Sequence, residues 1–201
     1  MKPEAIDARK EDRPPAVAGE PPRTLIVGLG QSGLSVARAL AAQGLSFAAA
    51  DSRPAPPGLA AYRCEHPWAA VHLGAFDPAL FAGVDRLVLS PGVGLREPAV
   101  QAALAAGVEV LGDIELFARL AQAPVAAITG SNGKSTVTTL LGAMAARAGL
   151  RVGVGGNLGP PALDLLAREP ELYVLELSSF QLETTDSLQP RVACVLNLSP
   201  D

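Results

Sequence analysis

Gly130, Ser131, Asn132, Gly133, Lys134, Ser135 and Thr136 form one run that follows the apolar Ala127 and Ile128 after a single Thr129. Two glycines, a lysine and a hydroxyl at this spacing suit one kind of ligand. The glycines let the backbone curl so that its N–H groups approach phosphate oxygens. The Lys134 ammonium meets the β- and γ-phosphates, and the Ser135 hydroxyl is a hard oxygen ligand for Mg2+. The run therefore predicts a loop for ATP and Mg2+, opening a helix whose N-terminus adds its own attraction for anions. A strict G-x-x-x-x-G-K-[ST] loop would place its first glycine at 128, where this chain has Ile128.

Three further groups fall at the ends of apolar runs. Glu176 opens Glu176-Leu177-Ser178-Ser179-Phe180-Gln181 after residues 172–175. A carboxylate at a buried strand end beside a phosphate loop suits Mg2+, directly or through water, so Glu176 joins Ser135 as a candidate metal ligand. Gly155-Gly156-Asn157 places Asn157 on the same carboxyl edge, where open α/β sheets bind ligands. Gly28-Leu29-Gly30-Gln31-Ser32-Gly33 is a G-x-G-x-x-G turn, with Asp51 18 residues past Gly33. That pattern fits NAD with Asp51 on a ribose hydroxyl. It fits equally a UDP-sugar whose diphosphate rests on the helix N-terminus while Asp51 accepts the uracil N3–H. His66 and His72 have no ligand pattern around them and read as surface or packing residues. Cys64 and Cys194 are far apart and form no C-x-x-C, which argues against a metal cluster or redox pair and for a reducing cytoplasm.

Strand and helix patterns that could position these groups alternate from Thr24 onward, the signature of parallel sheets with helices on their faces. In a first unit, 25–27, 46–50, 86–89 and 108–111 read as strands, 34–42 as a helix stopped by Gly44, and Pro98 opens a helix ending near Gly107. Residues 54–58 read as a loop. A short helix at 114–120 leads to a second unit with strands at 125–128, 151–154, 172–175 and 192–196. Its helix at 137–147 has Val137, Leu140, Leu141 and Met144 as its apolar face. The expected domains are 23–112 and 113–201, after a disordered tail at 1–22 that carries five prolines and no apolar core of a signal peptide.

Composition narrows the ligand class. With 49% apolar and only 18% charged residues among 201, the chain can bury α/β cores covered on both faces. A net charge of -4 and 4% aromatics give neither the basic footprint nor the stacking platforms of a nucleic-acid binder. No run approaches the ~20 apolar residues of a membrane span.

Residues 129–136, Gly155-Gly156-Asn157, 176–181 and the segment Asn197-Leu198-Ser199-Pro200-Asp201, taken together, resemble the Mur ligase family of peptidoglycan synthesis. Within that family, 28–35, Ser90-Pro91-Gly92, Gly112-Asp113-Ile114-Glu115 and 175–183 look like the branch that joins D-glutamate to UDP-N-acetylmuramoyl-L-alanine. The resemblance implies a Rossmann-like UDP-substrate domain followed by the first part of a P-loop ATPase domain. It also implies a cytoplasmic, ATP-driven amide synthesis through an acyl phosphate. Carried over by motif, Gln31 and Ser32 hold the diphosphate, Asp51, Ser52 and Arg53 the uracil end, and Ser90, Asn157, Ser178 and Gln181 the rest of the UDP substrate. Gly130 to Thr136 hold ATP, with Lys134, Ser135 and Glu176 as the catalytic set and Ser135 and Glu176 on Mg2+. The family pattern continues past residue 201 with a histidine, a modified lysine, an adenine pocket and an amino-acid-binding domain. The chain is accordingly expected to be a fragment or a short inactive relative, with an open sheet edge near 192–196, and the full-length protein a monomer. Competing readings are an NAD-dependent oxidoreductase built on 28–33, a folylpolyglutamate synthase, and a non-catalytic module binding a UDP-sugar or ATP. The first leaves the phosphate loop unexplained, and the second should lack the amino-terminal unit.

Overall fold

The computed structural model describes residues 24–199, and the expected tail at 1–22 lies outside them. Two compact units divide the chain between Asp113 and Ile114. The first contains β1 (Thr24–Val27), α1 (Gln31–Ala42), β2 (Phe47–Asp51), α2 (Leu59–Glu65), β3 (Val71–Leu73), α3 (Pro78–Ala82), β4 (Arg86–Leu89), α4 (Pro98–Ala105) and β5 (Glu109–Gly112). Its strands are all parallel in the order β3-β2-β1-β4-β5. β1 and β2 are buried along their whole length, as strands with apolar side chains on both faces must be. On one side, Leu25, Val27, Ala48 and Ala50 share a core with Phe81, Leu89 and Val100. Phe47 meets the rings of Tyr62, His66 and Trp68 edge-on. His66 is thus a packing residue at 5% exposure, while His72 is exposed.

The register fixes what stands at the carboxyl edge. Val27 lies opposite both Ala50 and Leu89, so Gly28, Asp51 and Ser90 leave three adjacent strands at one level. From β1 the chain first builds outward through β2 and later returns through β4 on the other side. β1 and β4 therefore flank a topological switch point, where open sheets leave a crevice.

The second unit repeats the design with α5 (Asp113–Leu120), which carries the chain in, β6 (Val125–Thr129), α6 (Lys134–Arg147), β7 (Val152–Gly156), a 3-10 turn (Ala162–Arg168), β8 (Leu172–Glu176), α7 (Ser179–Glu183) and β9 (Val192–Val195). Its parallel order is β7-β8-β6-β9: the crossover from β6 leads toward β7 and that from β8 toward β9, so the switch point lies between β6 and β8. Among the described residues β9 pairs with β6 alone, and Val192 and Val195 are each 59% exposed.

The apolar face expected for α6 is only half right. Val137 and Leu141 pack on the core of Ala126, Ile128 and Val174. Leu140 and Met144 are 58% and 59% exposed, and the buried residues are Thr138, Gly142 and Ala145. The helix sits too close to the sheet for large side chains along that line: a Cβ on Gly142 would come within 2.5 Å of a Val154 methyl. Small residues at i, i+4 and i+7 mark this face, and a search for large apolar residues passes over it.

Candidate functional site

In the second unit, β6, β8 and β7 deliver their ends in register, with Ile128 opposite Glu176 and Glu176 opposite Gly156. The loop 130–133, Glu176 and Asn157 therefore meet at one edge. Ser135, in the first turn of α6, donates its hydroxyl to Glu176 Oε2 at 2.7 Å, and Asn157 Nδ2 donates to Glu176 Oε1 at 2.7 Å. Glu176 is only 3% exposed, and among the described residues no lysine or arginine pairs with it. A carboxylate with a hydroxyl oxygen beside it is a hard-oxygen pair of the kind Mg2+ prefers, and a buried carboxylate without a cation is expensive. The donor set fits the ion.

Lys134 bends back so that Nζ donates to Gly130 O at 2.7 Å and Ser131 O at 3.2 Å. Val137 N donates to Gly133 O, so the amides of Lys134, Ser135 and Thr136 precede the first helical bond. Amides at a helix start are groups that an anion can meet. The amides of Ser131 and Asn132 are otherwise engaged: they donate to Asn197 O and Asn197 Oδ1. Asn197 belongs to the 197–201 motif, yet nothing in its residue type marks it as a partner of the phosphate loop.

Ser178 and Gln181 form a reciprocal capping box on α7, in which Ser178 Oγ accepts from Gln181 N and Gln181 Oε1 accepts from Ser178 N. Their polar atoms hold the helix start, and Gln181 is buried. Glu115, which had no assigned role either, lies buried on α5 and accepts the amides of Asp186 and Ser187, each at 2.8 Å. It also accepts Arg119 Nε at 2.9 Å. It ties down the segment between α7 and β9. Burial by itself would raise its pKa, but the Ser187 and Asp186 amides, the Ser187 side chain and Arg119 outweigh that and hold it at about 2.

In the first unit, Gly33 packs on the turn so closely that a Cβ there would come within 1.9 Å of Gly28 O. This is why the third glycine of the motif cannot carry a side chain. Ser90 Oγ donates to Gly28 O at 2.8 Å, locking β4 to the turn at the switch point. Asp51 accepts four bonds: Leu29 N at 2.7 Å, Arg53 N at 2.9 Å, and Arg53 Nε and Nη2 at 2.8 and 2.7 Å. The Arg53 side chain, then burial in the opposite sense, then the two amides set its pKa, which ends lowered to about 2. Two carboxylate oxygens offer about four acceptor directions, and all are used. Gln31 and Ser52 are exposed and Ser32 half-buried, with Gln31 and Ser32 in the uncapped first turn of α1.

A parallel sheet with a glycine turn, followed by a second with a phosphate loop, a hydroxyl and an acidic strand end, defines a two-unit α/β protein of the nucleotide-binding class. Residues 22–112 match the Mur ligase MurD-like N-terminal domain and residues 128–201 the Mur ligase middle domain. The UDP-N-acetylmuramoylalanine--D-glutamate ligases of Nitrosococcus oceani and Pseudomonas syringae are 61% and 62% identical over 179 and 177 residues, 89% and 88% of this chain. The chain spans 40% of the length of each. Among solved structures, the UDP-N-acetylmuramate:L-alanyl-gamma-D-glutamyl-meso-diaminopimelate ligase of Neisseria meningitides superposes with a TM-score of 0.57 at 20% identity, over 90% of this chain and 61% of that one. The murein peptide ligase of Psychrobacter arcticus gives 0.56 at 20% identity, over 90% and 44%. These share the fold. The chain belongs to the Mur ligase family. Among the described residues no helix is long and apolar enough to cross a membrane.

Proposed function

We propose that this chain supplies the UDP-substrate and ATP units of a ligase that joins D-glutamate to UDP-N-acetylmuramoyl-L-alanine for peptidoglycan synthesis, in the cytoplasm where ATP and nucleotide precursors meet. The observation that carries the reading is the set Ser135, Glu176 and Asn157 around one buried carboxylate at the foot of the phosphate loop. A hydride-transfer enzyme has no use for it.

The chemistry follows from a poor electrophile. A carboxylate resists attack by an amine until one of its oxygens becomes a leaving group. Transfer of the γ-phosphoryl to the alanyl carboxylate releases ADP and gives an acyl phosphate. The D-glutamate amine then adds to the carbonyl carbon, phosphate leaves with the C–O electrons, and the nitrogen loses a proton. In this scheme the amides of Lys134, Ser135 and Thr136 and the Lys134 ammonium seat and orient the phosphates. Ser135 and Glu176 would hold Mg2+, which supplies charge neutralisation for the polyphosphate. In the first unit the uncapped turn at Gln31 and Ser32 receives the diphosphate. A uracil N3–H on Asp51 takes the place of an Arg53 bond, and the Arg53 side chain, 53% exposed, is the partner able to move.

Calorimetric titration with MgATP tests the second-unit reading. The chain should bind, and Lys134→Ala should weaken binding by about 10- to 100-fold, the equivalent of a lost charge-assisted bond of roughly 1.5 to 3 kcal/mol. Equal affinity in the two proteins would overturn the assignment of the loop.

A further inference from the structure

Four hydrogen bonds join the phosphate loop to the chain that follows β9. Ser131 N donates to Asn197 O at 3.1 Å, Asn132 N to Asn197 Oδ1 at 2.8 Å, Asn197 Nδ2 to Asn132 O at 3.0 Å, and Ser199 N to Ser131 Oγ at 3.0 Å. The middle two are reciprocal. A carboxamide carries a donor and an acceptor at the spacing of a peptide group, so the Asn197 side chain pairs with the backbone of Asn132 as another strand would. Asp supplies no donor in that position, and Ser is too short to span both groups.

The surrounding backbone makes the pairing possible. Gly130 lies at φ +139, a conformation L side chains rarely adopt, and a Cβ there would come within 3.1 Å of Asn197 N and O. A bare α-carbon lets the two segments touch. The contact sits where the paired strands β6 and β9 end side by side: Leu196 N donates to Thr129 O, and Asn197 comes next.

We propose that Asn197 is a positioning residue for the nucleotide, a clamp that fixes the first half of the phosphate loop and so confines the anion seat to the second half. This rests on the ATP reading given above. Ser131 and Asn132 face Asn197 with their N–H groups instead of the ligand, which leaves the amides of Lys134, Ser135 and Thr136, and the Lys134 ammonium held by Gly130 O and Ser131 O, to meet the phosphates. A loop anchored before its ligand arrives loses less conformational freedom on binding, and that difference appears as affinity.

The test separates the clamp from the ATP reading. Amide hydrogen exchange of the nucleotide-free chain reports the clamp directly, and MgATP titration reports its consequence. Asn197→Ala should speed exchange at Ser131 and Asn132 and raise the MgATP Kd by about tenfold, as expected for two bonds lost from a preorganised loop. Asn197→Asp, close in size, keeps the acceptor and loses the donor. It should show a smaller change in exchange with the same direction in Kd, and it carries the test if the alanine variant does not fold. Exchange at Asn132 as slow as in the parent, or a Kd within about twofold of it in the folded variants, overturns the clamp while leaving the ATP reading intact. A parent chain that binds no MgATP overturns both.

Discussion

Two carboxylates with nearly identical pKa values hold the two units in different ways, and both are read by acid. Asp51 falls from an ordinary 3.8 to about 2 and Glu115 from 4.5 to about 2. A folded-state pKa below the unfolded one means the folded protein prefers the ionised form. Its stabilisation is complete above pH ~5 and is lost as the pH falls through the window between roughly 4.5 and 2. Each group is buried, so the loss is on the order of 2 to 3 kcal/mol. Thermal unfolding followed from pH 7 to 2.5 should therefore show a flat region and then a steep fall in Tm. Glu115→Gln should lower Tm at pH 7 and flatten the acid limb of the second unit, because the amide loses the charge that Arg119 and two amides recognise. An unchanged acid limb would assign the fall to other groups. At this scale the sequence was partly legible. Lys134, Ser135 and Glu176 announce themselves because phosphate and magnesium chemistry demands those atoms after a glycine loop. Asn197 and Glu115 do not, since the backbone groups they hold lie 65 and 71 residues away or more and backbone carries no sequence signal; the local Arg119 partner of Glu115 looks like any helical ion pair.

Among the elements, those marked by an apolar run with a clear stop signal were readable and those decided by close approach were not. β1, β4 and β6 are short apolar runs ended by glycine or a Ser-Pro-Gly turn, and the structure has strands there. β3, α2 and α3 span only three to seven residues within a stretch of mixed polarity, too short to display a period, and the reading gave them no place. α6 carries the clearest lesson. Its contact with the sheet is set by Gly142 against Val154, and no hydropathy pattern encodes a missing side chain. Gly142→Val should cost about 2 kcal/mol or more through overpacking and strain, measured by denaturant unfolding of the second unit. Met144→Gln on the exposed side should stay within about 0.5 kcal/mol. The reverse ranking would mean that the helix faces the sheet with its large residues after all. β9 illustrates the opposite case. An open edge is expected near 192–196, and Val192 and Val195 do lie exposed on a strand that, among the described residues, is paired on one side, a template for a second chain. Val192→Lys with Val195→Lys should therefore reduce concentration-dependent association of this chain in sedimentation. Unchanged association would exclude the edge as its cause.

The described residues form two sheets, each with its own switch point, core and glycine turn, so the two ligands proposed above should be separable. The core cluster around Leu25, Val27 and Phe81 is built from residues before Asp113, and the cluster beneath the phosphate loop from residues after it. That division makes a crossed experiment informative where a single substitution is not. Asp51 holds Leu29 in the first turn and, on the proposed reading, exchanges an Arg53 bond for the uracil N3–H. Asp51→Ala should accordingly weaken UDP binding by about tenfold or more, since it leaves a buried amide unpaired and removes the acceptor that distinguishes uracil, and should leave MgATP affinity within about twofold. Lys134→Ala should do the converse. NAD supplies the third arm, because the turn after β1 suits any pyrophosphate and only the base end separates the candidates. The parent chain should bind UDP more tightly than NAD, and Asp51→Ala should narrow that difference. Tighter NAD binding in the parent would return the first unit to dinucleotide chemistry. If each substitution weakened both ligands alike, the two units would not be the independent binding modules that their separate sheets and cores imply.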